Sequence, residues 1–245
     1  PMKRFTVSFV RLPRVVLSLG MAALVGSLAF PAHAATTTYT SVYTGGTIAP
    51  GDTVLLNDGA TVTGNVTANG TLQFNQSGTT LTISNVISGT GTLSLTNTGT
   101  LDLTGTTTVA DTVVLDMTTT VSAGVLQIQT GTGNLSVGSS GTGTLNVTGG
   151  RVTNSVGTLG ENAGGVGTAT VSSGTWATST TLSVGGGGTG TLDVNGGSVT
   201  SNLVGIGNLA GGVGTATVSS GTWATSTTLV VGRSGTGTLN VTGGY

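Results

Sequence analysis

Acid–base catalysis, hydroxyl nucleophiles and bound metal ions all need particular side chains brought within reach of one another. This 245-residue sequence supplies few of them. Asp102, Asp111 and Asp116 are its one dense group of acids, and no Lys, Arg or His lies near them in sequence. Aspartates in a Gly- and Thr-rich setting commonly close turns by bonding their own backbone, which is the reading preferred for these three. Ser and Thr abound, but a hydroxyl nucleophile needs an activating base. The only histidine, His33, sits in an N-terminal segment expected to be removed, and there is no Gly-x-Ser-x-Gly elbow. GGGGTGTLDVNGG (185–197) has the outline of a calcium-binding nonapeptide, yet its Asp193 is replaced by Asn146 and Asn240 in the sister repeats, so a calcium roll is not expected. Without cysteine there are no disulfides and no thiolate metal sites. The sequence therefore predicts no enzyme, no cofactor and no metal.

Two residue patterns suggest binding instead. Trp176 and Trp223 occupy the register held by Val152 and Val199, where an exposed aromatic column could stack on sugars. Valine at the alternate positions favours core rungs. The T-x-T pairs Thr142/Thr144, Thr168/Thr170, Thr189/Thr191 and Thr215/Thr217 could form a flat, uncharged face of the kind that binds ice, or simply the outward half of Thr-rich strands. Charge excludes more than it suggests. Lys3, Arg4, Arg11 and Arg14 crowd the first fourteen positions, and only Arg151 and Arg233 follow, against seven acids. That balance gives no footprint for nucleic acid.

The N-terminal basic residues precede VVLSLGMAALVGSLAF (15–30), then Pro31 and the small-residue site Ala32-His33-Ala34. A positive stretch, a short apolar run and an A-x-A site together read as a secretory signal peptide over 1–34, cut between Ala34 and Ala35. The apolar run is shorter than the roughly 20 residues a spanning helix needs.

The remainder must position whatever function exists, and it is built by repetition. AGGVGTATVSSGTWATSTT (163–181) recurs unchanged at 210–228, and the 47-residue units that begin at Leu135 and Leu182 share 34 of 47 positions. A third copy opens at Leu229 and stops at GGY, which reads as a fragment of a longer protein. Each unit contains a half-repeat, since GTGTLNVTGGRV (141–152) aligns with GVGTATVSSGTW (165–176). Within each half the period is two, as in Leu145, Asn146, Val147, Thr148, and Gly-rich turns bound the alternation. Exact long-period repetition of short strands predicts an all-β solenoid, a parallel β-helix with coils of about 23–24 residues. Stacking like on like would place Leu145, Ala169, Leu192, Thr215-Ala216 and Leu239 in continuous internal ladders. Residues 35–130 follow the same grammar less strictly and read as divergent N-terminal coils; 131–245 are the tandem repeats.

ISGTGTLSL (87–95), TNTGTLDLTGTTTV (96–109) and VSAGVLQI (121–128) resemble the passenger-associated repeat of bacterial autotransporters, and the LSVG-x-x-GTGTLNVTGG units resemble longer passenger repeats of the same proteins. The resemblance implies a right-handed parallel β-helix exported by a Gram-negative cell and displayed on its surface or released, acting as adhesin or stalk. The implied partners are the secretion machinery of the inner membrane, an outer-membrane barrel translocator that these repeats do not include, and a host or cell-surface glycan or protein. A polysaccharide-active β-helix enzyme with its catalytic coils elsewhere is the alternative. An interaction face is sought where the two units differ, chiefly 151–162 against 198–209, with Arg151, Glu161, Asn162 and Asn208 as its candidate residues.

Overall fold

The computed structural model describes residues 34–109, 112–128 and 133–245, and every regular element among them is a β-strand. Thr and Val are β-branched and suit a pleated surface, and their alternation with polar residues gives each strand one wet and one dry side. The strands pair in parallel with their counterparts one coil along, so the protein is a β-solenoid.

Each coil visits three faces. The first face begins with Thr36–Tyr39, Thr53–Asn57, Thr71–Asn75 and Thr92–Thr96. On it Leu56, Phe74, Leu95, Leu115, Val137, Leu159, Val184 and Ile206 stack in register, and all are fully buried. The second face runs from Thr80–Ile83 and Thr100–Leu103 through Thr142–Val147 and Val166–Val171 to Thr236–Val241. The third carries Ile87–Gly89, Thr106–Val109 and Val125–Ile128, and continues through 151–154, 175–178, 198–201 and 222–225. In the repeat region some strands pass straight round a corner, as Thr175–Val184 does from the third face to the first.

The coil length of 23–24 residues holds only in the repeats. On the second face Thr142, Val166, Thr189, Val213 and Thr236 stack at advances of 24, 23, 24 and 23 residues. On the first face Thr36, Thr53, Thr71 and Thr92 stack at advances of 17, 18 and 21 residues. Corners account for much of the difference. Asp116-Met117 suffice to turn the chain between Leu115 and Thr118, whereas residues 160–165 fill the corresponding corner further on.

Inside the repeats two columns alternate in compensating size. The second-face ladder is Leu145, Ala169, Leu192, Ala216 and Leu239, so at the Thr215-Ala216 position the alanine takes the inward place and the threonine faces out. The third-face ladder is Val152, Trp176, Val199 and Trp223. Coils with Trp thus carry Ala, and coils with Val carry Leu, which conserves volume in a close-packed interior. Trp176 is completely buried, as a core rung should be. Its indole N–H donates to Asn154 Oδ1 at 2.7 Å, so the polar end of the ring is satisfied. Gly157 makes room for it, since a Cβ there would lie 3.0 Å from Trp176 Cζ2 and 3.1 Å from Asn154 Nδ2.

Candidate functional site

The carboxylates are the groups that could do chemistry, and most of them are bonded to a neighbouring coil. Asp52 Oδ1 accepts from the Ala35 N–H at 2.9 Å. Asp58 accepts from the Ser77 N–H and hydroxyl and from Thr79. Asp102 takes the Ser122 hydroxyl at 2.8 Å, and Asp116 the Ser139 N–H at 2.6 Å. Glu161 Oε2 accepts from Ser136 Oγ at 2.6 Å and Ser139 Oγ at 2.8 Å. Ser139 therefore ties three successive coils together, reaching back to Asp116 and forward to Glu161. Such charge-assisted bonds act as staples along the stack.

Two of the acids singled out by the sequence, Asp102 and Asp116, bond to serines one coil along and not to their own turns as expected. Asp102 lies on the second face and Asp116 on the corner that enters that face one coil later, each bonded to a different serine. Asp111 lies outside the described residues. Asp193 faces outward on the second face, between Thr170 and Thr217. Among the described residues no group of three or more His, Cys, Asp or Glu side chains could hold a metal ion. No helix of the described residues is long and apolar enough to cross a membrane. Of the residues expected to form a signal cleavage site, Ala32 is outside the described residues, while Ala34 and Ala35 are exposed.

The four candidate interaction residues divide between the two edges of the second face. Glu161 and Asn162 sit on the corner leading into it, and Asn208 occupies the same corner two coils further on. Arg151 opens the third face, beyond the opposite edge. Asn162 is engaged in the corner, its Nδ2 donating to the Ser139 carbonyl at 3.0 Å. Asn208 folds back over Gly205, where its Cβ lies 2.8 Å from the place a side chain would begin. Arg151 is exposed and overhangs a shallow groove of about 270 Å³ shared with Gln127, Thr153, Ala177 and Thr200.

The T-x-T pairs do not stack as pairs. Thr80, Thr100, Thr118, Thr144, Thr168, Thr191, Thr215 and Thr238 form one unbroken outward column. The column on one side reads Thr142, Val166, Thr189, Val213 and Thr236; that on the other reads Asn146, Thr170, Asp193, Thr217 and Asn240. The threonine of each pair that lies outside this file thus changes sides from coil to coil. The face is a single threonine file with mixed flanks, lacking the two-rank regularity of a uniform flat array.

Two corner and core arrangements escaped the sequence reading. Asn97 Nδ2 donates to Asn75 Oδ1 at 3.2 Å, and Asn75 Nδ2 to Asn57 Oδ1 at 2.8 Å, forming an asparagine ladder on the first corner. Beside it Gln76 is buried and donates to the carbonyls of Leu56 and Asn57. Their irregular spacing hides them, because the coil length is still changing there. Compared with known family models, curated proteins and solved structures, the chain matches none.

Proposed function

We propose that this chain is an exported, structural passenger segment of an autotransporter-like surface protein, serving as a rigid stalk or adhesive rod rather than as a catalyst. The observation that carries the reading is the way the stack is made. Each strand finds its partner one coil along, so each coil needs only its predecessor as a template. A chain that folds coil by coil can leave the cell unfolded and assemble outside without an external energy source. The signal-like segment over 1–34 and the lack of cysteine fit that route. Committing carboxylates to staples between coils fits a load-bearing role, in which acids hold coils together and are not kept free for proton transfer.

The experiment is fractionation and protease shaving. Produced in a Gram-negative host, the chain is expected beyond the inner membrane; placed ahead of an outer-membrane translocator barrel, it is expected to be cut by protease added to intact cells. Retention in the cytoplasm with residues 1–34 still attached would overturn the reading. The adhesive part of the proposal centres on Arg151, the exposed guanidinium over the third-face groove, because a planar cation suits bidentate contact with a carboxylated glycan or an acidic protein surface. Arg151→Ala should lower cell or glycan adhesion of the displayed rod while leaving its unfolding midpoint unchanged.

A further inference from the structure

We infer that cleavage at Ala34–Ala35 creates an α-ammonium group for which the folded rod already holds a counter-ion, the Asp52 carboxylate. The inference rests on the export reading above and deepens it. Water cleaves the bond, its oxygen going to the Ala34 carboxylate and its hydrogens to the Ala35 nitrogen, which becomes an ammonium near neutral pH.

Three observations meet at this residue. The Ala35 nitrogen lies 2.9 Å from Asp52 Oδ1. The Ala35 carbonyl accepts from the Thr53 N–H at 2.8 Å, so both ends of the residue are tied to the next coil. Strand pairing then starts at once, with Thr36 to Tyr39 in register with Thr53 to Leu56. The A-x-A site, read from sequence alone, thus ends at Ala34, with only Ala35 between it and the first strand of the stack. A cut at that bond would leave no frayed tail, and it would turn an ordinary amide hydrogen bond into an ion pair.

The titratable groups around the new amine are few. Ala35 and Asp52 share a cleft of about 210 Å³ with Tyr39 and Tyr43. Burial, and then Tyr39, push the Tyr43 phenol above its usual value, so it stays neutral near pH 8. Asp52 is the carboxylate facing the amine, and His33 would depart with the removed segment.

Residues 35–245 would carry a single primary amine, since Lys3 is the only lysine in the 245-residue sequence. An amine-selective acylating reagent therefore reads the α-amino group without background. The chain of residues 1–245 should be exported from a Gram-negative host, its product's N-terminus read by mass, and the rate of acylation followed against pH for wild type, Asp52→Asn and Asp52→Glu. The product is expected to begin at Ala35. Its amine should titrate roughly half a unit above the ordinary 7.7–8.0 in wild type, as befits an exposed ion pair. Asp52→Asn should bring it back and Asp52→Glu retain part of the shift. A product beginning at Ala35 whose amine titrates alike in wild type and Asp52→Asn would overturn the capture while leaving export standing. An exported product beginning elsewhere would also overturn it. A chain kept inside the cell with Lys3 still present would instead defeat the export reading.

Discussion

Thr119 stands in the second-face interior between Leu101 and Leu145, fully buried, with a hydroxyl that has no hydrogen-bond partner. Thr107 does the same on the third face between Ile87 and Leu126. Burying an unbonded hydroxyl costs about 1–3 kcal/mol, and valine has nearly the same shape without it. Thr119→Val should therefore raise stability by about 1 kcal/mol in denaturant unfolding; a loss of that size would show that the hydroxyl is satisfied in solution. Asn154 combines both cases, since its Oδ1 takes the Trp176 N–H while its own Nδ2 is buried without a partner. Replacing it with Ala strands the Trp176 N–H inside the core and should cost about 1–3 kcal/mol. At the first corner, the Ser77 hydroxyl and then the Ser77 N–H hold the Asp58 carboxyl below its usual range. Because the folded form binds that proton less readily than the unfolded chain, Asp58's contribution is complete above about pH 4 and fades as pH falls through the lowered value. The stability gap between wild type and Asp58→Asn should accordingly be widest above about pH 4 and narrow steadily as the solution is acidified below it, as read from acid-unfolding curves. The Trp positions and the inward ladders were legible because their register repeats in sequence. The Asp58–Ser77 and Asp116–Ser139 staples were not, since they join acids to serines across corners of changing length.

Corners, rather than strands, are where element-level reasoning from the sequence falls short. Alternation of apolar and polar residues predicts each strand, but it says nothing of the backbone that must turn sharply between them. One column of glycines settles this for the first corner of the repeats. Gly138, Gly160, Gly185, Gly207 and Gly232 close successive first-face strands with φ between 61° and 71°. A side chain on Gly160 would also strike the Thr189 carbonyl oxygen at 2.2 Å. Gly164, in the same corner, shares the left-handed conformation (φ 85°) but has open space where its Cβ would lie. The two positions therefore separate backbone strain from steric exclusion. Gly164→Ala should cost only the left-handed penalty of about 1–2 kcal/mol, whereas Gly160→Ala should cost clearly more or displace the next coil. Equal losses for the two in thermal unfolding would mean that the stack yields readily at its corners.

At the scale of the whole rod, the duplication itself can be tested, because 163–181 and 210–228 are identical. Deleting residues 163–209 joins Asn162 to Ala210, sets the retained copy against 135–162 in the place of its identical twin, and changes the first-face contact only by giving 228–231 the strand 156–159 in place of 203–206. In the intact protein Trp223 is only partly buried, and its indole nitrogen has no partner. The residues that would serve it are altered: where Trp176 has Asn154 and Gly157, Trp223 has Ser201 and Val204, and Ser201 Oγ is likewise unbonded. The deletion lays Trp223 over Asn154 and Gly157, the seat shaped for an indole. The shortened chain should fold, keep its strand circular dichroism, and show emission from its one remaining tryptophan that is blue-shifted against Trp223 of the intact stack, read in a Trp176→Phe variant. Removing a single coil instead, residues 166–188, sets Leu145 against Leu192 and Val152 against Val199 and takes away the indole that Asn154 serves. Size alternation is then lost on two ladders at once, and that variant should unfold at markedly lower denaturant than the two-coil deletion although it retains more of the chain. If both deletions were equally stable, the coil and not the pair of coils would be the unit of construction. The alternation of Leu with Ala and of Val with Trp argues for the pair, because neither kind of coil fills the interior without the other beside it.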